Sequence, residues 1–117
     1  MPLSPDTQLE EMLKLLVERF GADRSLGEVF ATCHALRMAR EGRDFSVSDI
    51  ARATGLPKQN LARWLKYQVS IGQANTRPSE DDARRQNISI TDPVWAFRHL
   101  ERAAEIFGCD LDTPRRR

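Results

Sequence analysis

From Pro57 to Lys66 the chain reads PKQNLARWLK. Lys58, Gln59 and Asn60 open this stretch, and Arg63 and Lys66 follow at intervals of three. Such amide and cationic groups can bond the edges of nucleic-acid bases. Gln and Asn match the donor–acceptor pair of adenine, and Lys and Arg match the acceptors of guanine. An ordinary solvated helix face would use the same residue types. Leu61, Trp64 and Leu65 recur among them at helical spacing and are expected to pack inward. Aromatic residues make up only 7% of the chain and are not interleaved with the basic ones, which argues against a single-strand stacking surface.

The charge distribution singles out the same region. Residues 45–77 hold five Lys/Arg against one acid, Asp49, a net +4 in a chain whose total is +1. Residues 1–44 stand at −2, residues 78–91 at −1 and residues 92–117 at zero. A local basic surface suits a polyanion, although a solvated face leaves the same trace.

No enzyme constellation stands beside it. His34 and His99 fall on separate expected helices, and the neighbours Cys33 and His34 diverge on a helix. Paired carboxylates, a phosphate-binding glycine loop and a nucleophile motif are all missing from the sequence. The expectation is therefore no catalysis, no metal and no cofactor. Cys33 and Cys109 make no C-x-x-C pair and are expected to be reduced thiols, Cys33 packed on an apolar face. The start MPLSPDTQLEE is polar and acidic, unlike a signal peptide, and no apolar run approaches membrane-spanning length. These features predict a cytoplasmic location with no membrane partner.

The elements that must position these residues can be read in order. A length of 117 residues favours a single domain spanning 1–117. Ser4-Pro5 opens a first helix with Leu9, Met12, Leu13, Leu16 and Phe20 in one stripe, ended by Gly21. The Ser25–Glu28 capping box opens a second, with Leu26, Val29, Phe30, Cys33 and Leu36 along one face. These two make an N-terminal helical region, 1–44. Ser46 and Asp49 box the start of a short helix, with Ile50 and Ala53 inward and Gly55 as its stop. Pro57 then starts a helix to about Ser70. Two helices across a glycine turn form a helix-turn-helix signature. QANTR and NISIT read as a hairpin around a charged loop, closing a core over 45–91. Asp92-Pro93 opens a final helix over 92–108 with Val94, Phe97, Leu100, Ala104 and Phe107 apolar, and 109–117 is expected to be a frayed tail. The expected fold is mainly α with a small β-hairpin wing, a winged helix-turn-helix flanked by N- and C-terminal helices.

Residues 50–91 resemble the MarR family of bacterial winged-helix regulators. Gly55-Leu56 matches the family's turn, Leu61 and Arg63 its apolar and arginine positions, and Gly72 its helix-ending glycine. Asp82 and Arg84 match its D-x-R wing motif, and Ile88, Ile90 and Thr91 the strand after it. Gln68 stands where the family has a core leucine, and Val69 is expected to compensate. The resemblance implies a transcriptional regulator that binds double-stranded DNA as a homodimer, with room for an unidentified small-molecule effector. Lys58, Gln59, Asn60, Arg63 and Lys66 would face the major groove. It implies too that Arg84, oriented by Asp82, reaches a minor groove, with Arg85 beside it. Ser46 and Ser48, at a helix start, would cap it and could meet phosphate. Terminal helices would form the dimer interface through Leu9, Leu13, Leu16, Phe97, Leu100 and Phe107. The alternative is a winged helix used for protein–protein assembly with little DNA affinity.

Overall fold

The structure is a computed structural model, and it describes residues 3–81, 84–91 and 93–108, except the side chains of residues 93–97 and 99. Asp82, Asp92 and Cys109, and the side chains of Val94, Phe97 and His99, lie outside the described part. Among the described residues five helices and one hairpin follow in the order α1 (Pro5–Phe20), α2 (Leu26–Arg40), α3 (Val47–Thr54), α4 (Lys58–Ser70), β1 (Ala74–Pro78), β2 (Gln86–Ile90) and α5 (Pro93–Phe107). The fold is mainly α with a two-stranded wing. Among the described residues no helix is long and apolar enough to cross a membrane.

The chain divides into two compact units. One joins residues 1–24 with 94–117, and the other spans 25–93. In the first, Leu15 and Ile106 are buried. Arg102 reaches Glu11 at 3.2 Å, and the Gln8 amide donates to the Ile106 carbonyl at 3.5 Å, so α1 and α5 lie together. The expected stripe on α1 is only partly used. Leu16 is half-buried, but Leu9 and Leu13 are 60% and 44% exposed.

The second unit holds the main core. Ala31, Ala35 and Met38 of α2 meet Phe45, Ile50, Leu61, Trp64, Ala74 and Ile88. Completely burying a side chain of the size of Ile50 or Leu61 contributes roughly 1.5–3 kcal/mol. Trp64 also has its polar atom satisfied: Nε1 donates to Thr32 Oγ1 at 3.0 Å, and that hydroxyl donates to the Glu28 carbonyl at 2.9 Å. Both expected capping boxes are present, Ser25 with Glu28 and Ser46 with Asp49.

Three packing expectations are corrected. Leu26 is 74% exposed, Phe30 is exposed and Cys33 is exposed; α2 turns its alanine face inward instead. Alanines at i and i+4 let a helix approach closely, and the large residues on the far side misled the stripe. On α3 the inward row is Val47, Ile50 and Ala51, which leaves Ala53 exposed. Val69 is exposed too, so it does not replace the missing core leucine; Gln68 is half-buried in its own place. Pro57 is the N-cap of α4, which runs to Ser70 as expected.

The turn between α3 and α4 is held by hydrogen bonds. Gly55 takes the left-handed conformation, φ 78°, and its N–H donates to the Ala51 carbonyl at 2.8 Å. A side chain there would be strained. Thr54 Oγ1 donates to the Ile50 carbonyl and accepts from the Leu56 N–H. The hairpin is antiparallel, with Ala74 opposite Ile90 and Pro78 opposite Gln86. Ile88 N–H donates to the Phe45 carbonyl at 2.8 Å, which ties the wing to the segment entering α3.

Candidate nucleic-acid interface

On α4 the buried Leu61 and Trp64 fix which way the rest of the helix points. At 3.6 residues per turn, Gln59, Arg63 and Lys66 then lie opposite the core, with Asn60 on the flank toward α2. All four, and Lys58, are exposed. Gln59, Arg63 and Lys66 therefore share one open helix face, with Asn60 on one flank and Lys58 on the other, nearer Leu65. Arg63 is not isolated on that face: its Nη2 donates to Asn60 Oδ1 at 2.6 Å. Both residues rim a cavity of about 400 Å³ beside the start of α2, whose floor includes Leu61 and Trp64.

A second groove, of about 540 Å³, runs between the start of α3 and the base of the wing. Ser46, Ser48, Leu65, Arg84, Arg85 and Gln86 line it. The structure thus gathers the two expected serines and both wing arginines, which are 36 or more residues apart in sequence, into one place. Their circumstances differ. Ser46 is 5% exposed, and its hydroxyl both accepts from the Asp49 N–H and donates to the Asp49 carboxylate. Ser48 is half-buried, and Arg84 is exposed. Arg85 pairs with the Asp49 carboxylate through Nη2, and its Nε donates to Asn87 Oδ1 at 3.3 Å. Asn87 itself is buried.

Asp49 links the start of α3 to the wing, a connection that the sequence does not reveal. It receives the Ser46 N–H at 2.9 Å, Arg52 at 3.4 Å and Arg85. The capping box marked it as a helix-start residue, but nothing local could show its link to the wing. Gln86, on the groove wall, was likewise not singled out.

The reactive side chains lie elsewhere. Although Cys33 is exposed in overall area, its thiol is desolvated by its surroundings and pushed up, away from a nucleophilic thiolate. Burial, then the nearby Arg37 and Arg43, hold His34 below its ordinary value. Among the described residues no group of His, Cys, Asp and Glu could hold a metal ion.

Comparison of the coordinates with solved structures decides the architecture. A Staphylococcus aureus MepR mutant bound to an oligodeoxyribonucleotide matches with a TM-score of 0.62 at 18% identity, over 86% of this chain and 70% of that one. The fold is a winged helix of the kind seen in MepR. A probable transcriptional regulator from Pseudomonas aeruginosa matches at 0.58 and 19%, over 86% of this chain and 74% of that one. The heme sensor PefR from Streptococcus agalactiae, in complex with heme, matches at 0.56 and 17%, over 90% and 76%. No family model and no curated protein matches the sequence. In this winged helix α3 and α4 form the helix-turn-helix, and β1 and β2 form the wing.

Proposed function

We propose that the chain is a transcriptional regulator of bacterial type that binds double-stranded DNA as a homodimer in the cytoplasm. The observation that carries this is the open outer face of α4, bearing Gln59, Arg63 and Lys66 with Lys58 and Asn60 exposed on its two flanks, beside a groove with Arg84 on its wall. Two solved structures of S. aureus MepR with this fold are complexes with DNA, which supports the same use here. In this reading α4 enters the major groove, where a helix of about 10–12 Å diameter fits and each base pair shows a distinct bonding pattern. The start of α3 meets the phosphate backbone: Ser46 holds the helix end in shape, and Ser48 faces the groove. Arg84 reaches toward the minor groove, and Arg85 contributes by tying the wing to Asp49.

Dimerisation completes the reading. Leu9, Leu13 and Phe107 are substantially exposed in the single chain, with Leu16 and Leu100 half-buried beside them in sequence. Together with Phe97 they would form a two-fold interface, which places two α4 helices on a palindromic site. The chain itself acts by occupying DNA and catalyses nothing.

Fluorescence anisotropy on mixed-sequence duplexes tests the reading. Arg63→Ala and Arg84→Ala should each weaken binding roughly tenfold, in line with a lost arginine contact. Affinities unchanged in both variants would assign the winged helix to protein assembly instead.

A further inference from the structure

The bond between Arg63 and Asn60 limits what this helix can read. Arg63 Nη2 lies 2.6 Å from Asn60 Oδ1. The two are one turn apart on α4, where side chains at i and i+3 are neighbours. Asn60 owns one acceptor oxygen and one NH₂ donor group, and Arg63 owns donors only. With the guanidinium against Oδ1, the pair presents cationic and amide donors outward. Adenine shows the major groove an acceptor, N7, and a donor, the N6 amino group. That amino group would have to share Asn60 Oδ1 with the Arg63 guanidinium and would sit next to its positive charge. Guanine shows two acceptors, N7 and O6, and meets the remaining guanidinium N–H groups without conflict.

We propose that Asn60 is a positioning residue for Arg63, and that the pair selects guanine rather than adenine at one position of each half-site. The choice rests on the DNA-binding reading above and sharpens it. Arg63 makes the base contact. Asn60 holds the guanidinium plane and does not read adenine. Lying at exposed positions, both can be changed without disturbing Leu61 or Trp64.

Binding-site selection from random duplexes, run on the full chain and three variants, tests this. Helicity by circular dichroism confirms that each variant is folded. The unaltered protein should enrich guanine at one position per half-site. Arg63→Ala should erase that preference, on the order of tenfold, while retaining weaker duplex binding. Asn60→Ala should blunt it. Asn60→Asp keeps the acceptor that Arg63 needs but removes the NH₂ donor, so it should preserve the guanine preference. Enrichment of adenine that disappears in Asn60→Asp and persists in Arg63→Ala overturns the proposal while leaving DNA binding intact. Failure of the unaltered protein to bind any duplex overturns both.

Discussion

Asp49 joins local structure to the proposed interface within one side chain. Its carboxylate closes the cap of α3 and receives Arg85 from the wing. Replacing it by alanine should cost about 1–2 kcal/mol in urea denaturation, because the Ser46 N–H loses its charged acceptor. Arg85→Ala should cost less than about 1 kcal/mol, because its side chain is 38% exposed and solvent screens the pair. If the two losses prove equal, the wing tie rather than the cap dominates at Asp49. His34 adds a pH signature. Its lowered pKa means that the unfolded chain takes up the proton first. The associated stability is present above the ordinary value near 6.5 and fades as pH falls toward the lower folded value. The urea midpoint should therefore drop on acidification from about pH 7 to about pH 5.5, and His34→Gln should flatten that drop. Parallel curves would remove His34 from the account.

At the scale of elements, α2 is the instructive case. Its alanine face is buried to completion, with Ala31 at 0% and Ala35 at 1% exposure, whereas Leu26 is 74% exposed. Ala35→Leu should overpack the core and lower stability by about 1–3 kcal/mol. Leu26→Ala should change it by less than about 0.5 kcal/mol. The reverse ranking in denaturant midpoints would mean that the sequence stripe, not the alanine face, forms the core. The contrast explains what could be read in advance. Caps, stops and turns are local chemistry, so Ser25–Glu28, Ser46–Asp49 and Gly55 placed α2, α3 and α4 within a residue or so. The polar face of α4 followed once Leu61 and Trp64 were inward. Helix faces with two apolar sides are not local: which side of α2 packs depends on Trp64 and Phe45, far along the chain. For the same reason Arg85 could be noticed as a wing cation but not as Asp49's partner, because 36 residues separate them.

For the whole molecule, a net charge of +1 offers no general attraction for DNA, so in the proposed reading binding would come from the local basic face, repeated by the symmetry of the proposed dimer. A two-fold dimer doubles that face. Light scattering in moderate salt should give twice the chain mass at micromolar concentration, and Leu9→Lys with Leu13→Lys should shift it toward the monomer. A clean monomer in the unaltered protein would remove the palindromic arrangement. The most direct test of the central claim is duplex affinity as a function of salt. A dimer that neutralises several phosphates releases their counterions, so log affinity should fall linearly with log salt, losing roughly a thousandfold or more between about 50 and 200 mM. An unaltered protein that shows no salt-sensitive duplex binding at low ionic strength would contradict the claim that this winged helix is a DNA-binding regulator.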